Sequence, residues 1–156
     1  MATHPWKMPP LIKVYEALGA IADGRVRILD DVRAEVGSSE GNKTYTVELN
    51  GKEVAANDNA SYWQGYLGYP AIAVMIARGM LDAYPKAIEA LGGIAWKELN
   101  RRYRNDYAKT IAEVDDGLRA SGIEPDEIKR SCESVLALLE AFAPIRGARK
   151  RPPRAQ

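Results

Sequence analysis

The sequence predicts an α+β fold in which an N-terminal helix precedes a three-stranded antiparallel β-meander and a mainly helical C-terminal part. Apolar residues recur at helical spacing near the N-terminus, alternate with polar residues between positions 25 and 56, and then return to helical spacing. With 156 residues, of which 46% are hydrophobic, the chain has the size and composition of one domain with its own core.

The N-terminal helix is predicted between Pro10 and the Asp23-Gly24 pair. Proline suits the first turn of a helix, and glycine commonly follows the last turn. Between these two signals, apolar residues recur every three or four positions, which is the spacing of one helical face. These residues are Leu11, Val14, Tyr15, Leu18 and Ile21.

The three strands are predicted from the alternation of apolar and polar residues that follows. The first strand runs from Arg25 to Val36, the second from Thr44 to Leu49, and the third from Lys52 to Ala56. The second and third strands are joined by Asn50-Gly51, a strong signal for a two-residue hairpin turn. One face of the meander is expected to lie under helices.

A turn formed by these two residues sets the register of the hairpin. It places Val47 opposite Val54 and Glu48 opposite Glu53. Facing like charges destabilise a strand pair, so we expect an arginine of the first strand to neutralise them. The alternative is a divalent metal held by these glutamates and an aspartate, but no metal site or cofactor is predicted. The arginines are Arg25, Arg27 and Arg33, and the aspartates are Asp30 and Asp31.

Prolines mark the starts of helices in the C-terminal part. Pro70, Pro85 and Pro125 each stand where a helical pattern begins. The longest helix is predicted from Ile94 to Ala120, because apolar residues there step by three or four positions along one stripe. The sequence therefore predicts four or five helices after the meander.

The scarcity of cysteine and histidine restricts the chemistry. The single cysteine, Cys132, falls on the apolar face of the last helix and is predicted to be a buried hydrophobe, and the single histidine is His4. Ser-His-Asp triads, Cys-His pairs and zinc sites rich in these ligands are therefore excluded from the core. Any catalysis would use carboxylates, lysine, tyrosine or hydroxyl groups.

The sequence carries no signal for export or membrane insertion. The N-terminus lacks the basic start and apolar middle of a signal peptide, and the apolar runs are too short to cross a bilayer. One unpaired cysteine fits a reducing compartment. A cytoplasmic location is the resulting expectation.

A change of composition predicts a single domain, residues 1–143, and a basic, disordered tail, residues 144–156. The tail contains five of the 22 lysine and arginine residues and none of the 21 acidic ones, so the domain is net acidic although the chain is +1. Clustered bases are typical of contacts with nucleic acid or an acidic protein. The candidate tail residues are Arg146, Arg149, Lys150, Arg151 and Arg154.

The segment 57–70 is the least ordinary part of the sequence, because it combines aromatic residues, glycines and amides over a short stretch. A ligand cleft or a base-stacking platform requires this combination. The alternative is a helix face seated on the sheet, with asparagine and aspartate as caps. The candidate ligand-binding residues are Asn57, Asp58, Asn59, Tyr62, Trp63, Tyr66 and Tyr69.

A second candidate surface lies on the predicted long helix, where Lys97, Arg101 and Arg104 align at spacings of four and three. Such a basic face can contact phosphates. The alternative is a solvated face that pairs with nearby acids. Those acids are Glu98, Asp106 and Glu113.

Three functional hypotheses follow from these features. The first is a small intracellular binding protein whose basic tail contacts nucleic acid or an acidic partner. The second is a small-molecule-binding protein, or an enzyme based on carboxylates and a metal, with its site near residues 57–70. The third is a homo-oligomer whose exposed helical stripe is an interface.

Overall fold

The structure is a computed structural model that describes residues 4–154. The predicted α+β class is confirmed, with an N-terminal helix, a sheet and a mainly helical C-terminal part. The strands are β1 (Val26–Ile28), β2 (Arg33–Gly37), β3 (Thr44–Asn50), β4 (Glu53–Ala56) and β5 (Ile145–Arg146). The helices are α1 (Ile12–Ala22), α2 (Tyr69–Ala77), α3 (Pro85–Ala90), α4 (Trp96–Arg102), α5 (Tyr107–Ala120) and α6 (Pro125–Phe142), with a π-helix at Ala60–Gln64.

The core lies between the sheet and the helices. The strands follow the order β1-β2-β3-β4-β5, and α2 lies against all four antiparallel strands while α1 packs against α2. Residues 70–75 of α2 are all buried, as expected for a helix enclosed on all sides. Cys132 lies in this core, as predicted. No helix in residues 4–154 is long and apolar enough to cross a membrane.

The predicted first strand is wrong, because it is two strands joined by a turn. Asp30 Oδ1 accepts hydrogen bonds from the backbone N–H groups of Val32 at 2.9 Å and Arg33 at 2.7 Å. An aspartate that binds the backbone two and three residues ahead favours a turn over an extended chain. These bonds, with that of Arg33 strongest, lower the pKa of Asp30 to about 2. The meander therefore has four antiparallel strands.

The predicted register of the β3–β4 hairpin is also wrong, by two residues. Val47 pairs with Ala56, and the turn residues are Gly51 and Lys52 instead of Asn50 and Gly51. Gly51 has a φ of 60°, which glycine adopts without strain at the first central position of a hairpin turn. A shift of two keeps every side chain on the same face, so the alternation alone cannot detect it.

The new register removes the predicted opposition of two glutamates. Glu48 pairs with Ala55 on one side and with Arg33 on the other, and its carboxylate accepts a hydrogen bond from Lys150 at 2.9 Å. Glu53 pairs with Asn50 at the hairpin turn. The metal alternative therefore loses its geometric basis.

The predicted long helix from Ile94 to Ala120 is wrong as well. It consists of α4 and α5, separated where Arg104 and Asn105 adopt φ values of 52° and 61°. The break lets Tyr103 donate a hydrogen bond to Glu113 at 2.6 Å. In one continuous helix, residues ten apart would be separated by about 15 Å along the axis. The longest helix is α6.

The first residues of the predicted tail belong to the sheet. Helix α6 ends at Phe142 and is followed by Ala143, which has a φ of 53°, and β5 then pairs in parallel with β4. Ile145 N donates to Lys52 O at 2.9 Å, and Gly147 N donates to Val54 O at 2.9 Å. This pairing brings the following basic residues to the edge of the sheet beside the segment 57–70.

Helix packing at Gly19 yields a stability prediction. A Cβ at this position would lie 2.6 Å from Trp96 Nε1 and 3.0 Å from Leu91 O, so we expect Gly19→Ala to destabilise the fold by about 1–3 kcal/mol. In α5, a Cβ at Gly117 would meet no atom within 4 Å. Gly117→Ala is therefore the control and should stabilise by about 0.5–1 kcal/mol. Equal free energies of unfolding in urea for the two variants would contradict this packing.

Candidate functional site

The segment 57–70 is organised around the buried carboxylate of Asp58, which is 4% exposed. Ser61 donates twice to Asp58, from Oγ to Oδ1 at 2.6 Å and from its backbone N to Oδ2 at 3.1 Å. Gly68 N donates to Ser61 Oγ at 3.4 Å, which links the far end of the segment to the same group. Asp58 therefore caps the turn that follows it and holds both ends of the segment together.

Close approach at Gly68 is part of this arrangement. A Cβ on Gly68 would lie 2.0 Å from Asp58 Oδ2, so only glycine fits without displacing the carboxylate. Between these two residues the chain forms the π-helix Ala60–Gln64, which ends at Gly65 with a φ of 76°. Such turns are uncommon and occur frequently at functional sites. The aromatic residues Tyr62 and Trp63 lie on this turn, whose start is fixed by Asp58.

Beneath the segment lies a cavity of about 360 Å³, called here the tyrosine cavity. Four tyrosines from three different parts of the chain line it, together with two tryptophans and several amide side chains. The tyrosines are Tyr45, Tyr66, Tyr69 and Tyr107. The volume falls within the range of small-molecule sites.

A polar network lies on the wall that α1 and α4 contribute to this cavity. Lys13 Nζ lies 3.6 Å from Glu16 Oε2, and Asn100 Nδ2 donates to Glu16 Oε1 at 3.0 Å. Since a carboxylate only accepts, the amide nitrogen of Asn100 must face Glu16. Asn100 Oδ1 is then buried without a hydrogen-bond donor among residues 4–154. A buried carbonyl oxygen without a donor is uncommon and is costly unless a ligand or water supplies one.

Burial favours the protonated form of three phenols that line the cavity. It raises the pKa of Tyr69, Tyr45 and Tyr66 above the ordinary value of 10.0. Burial is the largest single influence on the pKa of Lys13 and lowers it, but Glu16, Tyr107 and Tyr66 together outweigh burial, so the net pKa is raised. The cavity therefore offers neutral hydroxyl groups that donate and accept, beside one permanent ion pair.

A cationic group lies at the α4 side of the cavity. Lys97 lines the cavity, and its Nζ lies 4.0 Å from Glu40, which also pairs with Arg101 at 2.7 Å. Burial and the neighbouring charge of Lys43 lower the pKa of Lys97. Glu40 thus pairs with two cations, and Lys43 adds a third positive charge beside Lys97, which leaves an excess of positive charge here.

A second depression of about 400 Å³, called here the arginine cleft, lies between the segment and the residues after β5. The Arg146 guanidinium lies 4.9 Å from the Trp6 ring, and that of Arg149 lies 4.1 Å from the Tyr62 ring. Trp63, which is 68% exposed, lines both the cleft and the tyrosine cavity. The segment 57–70 is therefore a partition between two sites.

The structure places most of the predicted ligand-binding residues at the tyrosine cavity. These are Asp58, Asn59, Trp63, Tyr66 and Tyr69. Tyr62 lines the arginine cleft instead, and Asn57 Oδ1 accepts a hydrogen bond from Thr46 N at 2.8 Å, which gives it a structural role. Asp58 is a cap, as the alternative hypothesis supposed, and it also lines the cavity.

The predicted basic residues are divided among several places. Lys97 lies at the tyrosine cavity, Arg101 pairs with Glu40, and Arg104 lies in the break between α4 and α5. In the tail, three residues line the arginine cleft, whereas two are exposed and line neither site. The three are Arg146, Arg149 and Lys150, and the two are Arg151 and Arg154.

The match to a family model covers residues 6–144. The chain belongs to the family described as uncharacterised conserved protein UCP014422. No curated protein and no solved structure matches it. The matched range includes the residues that form the tyrosine cavity, whereas Arg146 and Arg149 lie beyond its end.

Sequence reasoning missed the polar network of Lys13, Glu16 and Asn100. A signal for part of it was present, since Lys13 and Glu16 are the two charged residues of α1 and are three positions apart on one face. The position of Asn100 depends on the packing of α4 against α1, which no local pattern encodes.

The buried carboxylate of Asp58 predicts a pH dependence of stability. Burial is the main cause that raises its pKa above 3.8, although hydrogen bonds from Ser61 act in the opposite direction. A raised pKa in the folded state means that stability is lost as the pH rises from 3.8 through the folded value. Asp58→Asn keeps the shape and removes this titration.

Unfolding in urea from pH 3.5 to 7 should therefore show wild type losing stability relative to Asp58→Asn over the acid part of that range. As a control, Asp116→Asn changes an exposed carboxylate and should leave the pH profile of wild type unaltered. Parallel profiles for wild type and Asp58→Asn would contradict the assignment.

Proposed function

We propose that this protein binds a small, ring-bearing anionic molecule in the tyrosine cavity. The observation that carries the proposal is the buried Oδ1 atom of Asn100, which has no donor among the described residues although Asn100 lines a cavity of about 360 Å³. A ligand N–H or O–H group at this point would complete the network of Asn100 and Glu16.

The charge of the site supports an anionic ligand. Lys97 and Arg101 share the carboxylate of Glu40, and the pKa of Lys97 is lowered by burial first and by the charge of Lys43 next. A carboxylate or phosphate beside Lys97 would relieve both effects. The acids that line the cavity are already engaged, Glu16 by Lys13 and Asp58 by Ser61.

The aromatic lining supports a ring. Trp63 is exposed and Tyr66 is half-buried, so both offer accessible ring surface beside the cavity. Tyr69 is less available, because Arg25 lies 5.6 Å from its ring and Tyr45 packs against it edge-on at 6.1 Å. A planar ring held near Trp63 and Tyr66 would lie in the same cavity that Asn100 lines.

Binding is favoured over catalysis because the carboxylates at the cavity are already held by hydrogen bonds. Glu16 and Asp58 are the carboxylates at the cavity, and each is held by hydrogen bonds that serve the fold. Residues 4–154 contain no cluster of histidine, cysteine or acidic residues suited to a metal ion. The cytoplasmic location stays a prediction. The homo-oligomer also stays a prediction, and sedimentation would test it.

The test uses a panel of probes that carry the required chemistry, namely nucleoside monophosphates, aromatic carboxylates and sugar phosphates. Trp63 and Trp96 line the cavity, so binding should change tryptophan fluorescence and raise the melting temperature. Lys97→Gln should weaken binding about tenfold or more, because one charge-assisted contact is lost.

The matched control is Lys129→Gln, which removes the same charge from an exposed position on α6 and should leave binding unchanged. The proposal would be overturned if no member of the panel bound. It would also be overturned if a probe bound with equal affinity to wild type and to Lys97→Gln.

A further inference from the structure

The arginine cleft holds guanidinium groups whose positions are already fixed. Arg146 Nη2 donates to Gly65 O at 3.1 Å, and Arg149 Nη2 donates to Tyr62 O at 3.3 Å. Each guanidinium also lies against an aromatic ring. Because a guanidinium has five N–H donors, these contacts orient the group and leave other donors free for a phosphate.

The charge of the cleft is almost uncompensated. Four cations line it, and none of its described lining residues is acidic. Lys150 forms an ion pair with Glu48 at 2.9 Å, whereas within residues 4–154 no carboxylate pairs with the other three. Those three are Lys7, Arg146 and Arg149. A polyanion is therefore the complementary partner.

The aromatic residues beside these cations narrow the choice of polyanion. Trp63 is 68% exposed, and Tyr62 packs against it edge-on with ring centroids 4.6 Å apart. This contact holds the tryptophan at the rim of the cleft. An acidic peptide needs only the cations, whereas an unpaired nucleic-acid base stacks on an exposed aromatic ring.

We propose that the arginine cleft is a site for single-stranded nucleic acid, with phosphates on Arg146 and Arg149 and a base stacked on Trp63. The site shares Trp63 with the tyrosine cavity, from which it differs in having no acid among its described lining residues. A duplex would bind less well, because its bases are already stacked and paired.

The experiment measures binding of a fluorescein-labelled oligothymidylate of about 12 nucleotides to the full chain by anisotropy, at several salt concentrations. The two phosphate contacts, on Arg146 and Arg149, predict a slope of log K against log salt of about −1.4, since each contact on a single strand contributes about 0.7. Arg149→Gln should weaken binding and reduce the slope by about 0.7.

Trp63→Ala should act differently, by weakening binding about 5- to 100-fold without changing the salt slope. The matched controls are Arg130→Gln on the exposed surface of α6, and Tyr84→Ala, which removes an aromatic ring that is 54% exposed elsewhere. Both controls should bind like wild type.

Several results would overturn the proposal. One is the absence of binding at low salt, and another is an Arg149→Gln variant with an unchanged slope. Equal affinity of wild type and Trp63→Ala would indicate a general polyanion surface. Thymidine monophosphate or duplex DNA binding as tightly as the oligonucleotide would exclude a site built for a single strand.

Discussion

The carboxylate of Asp58 is buried, and both of its oxygens accept hydrogen bonds from one serine, through Ser61 Oγ and Ser61 N. Burial raises the pKa of this group, so the fold holds it at a cost that the hydrogen bonds offset in part. These hydrogen bonds fix the start of the chain between β4 and α2, and the contacts of Gly68 fix its end. Both candidate sites use this segment as a wall, so their geometry depends on this contact.

The fold class could be predicted from the sequence because it depends on periodicity, which burial imposes directly on residue choice. The wrong predictions concern strand register and helix breaks, which periodicity does not determine. A two-residue shift moved Val47 from Val54 to Ala56 without changing faces, and the backbone at Arg104 and Asn105 broke a continuous apolar stripe. Asp30 favours a turn, but the alternation on both sides of it predicted a single strand.

Only one wall of the tyrosine cavity could be predicted from the sequence. The segment 57–70 is unusual in composition, and five of its seven candidate residues line the tyrosine cavity. The opposite wall comes from Lys13, Glu16 and Asn100, which are distant in sequence and meet only when α4 packs on α1. Likewise, the tail arginines and the aromatic segment were separate features until β5 paired with β4 and joined them.

We expect the segment 57–70 to be a rigid partition and not a mobile loop. Amide hydrogen exchange followed by NMR tests it most directly, because Ser61 N and Tyr62 N are both hydrogen-bonded to Asp58. Their exchange should be as slow as that of Leu49 N, which donates across the sheet to Val32 O at 2.8 Å. If the amides of Ser61 and Tyr62 exchanged at the rate of exposed loop amides while Leu49 was protected, the segment 57–70 would be a mobile loop.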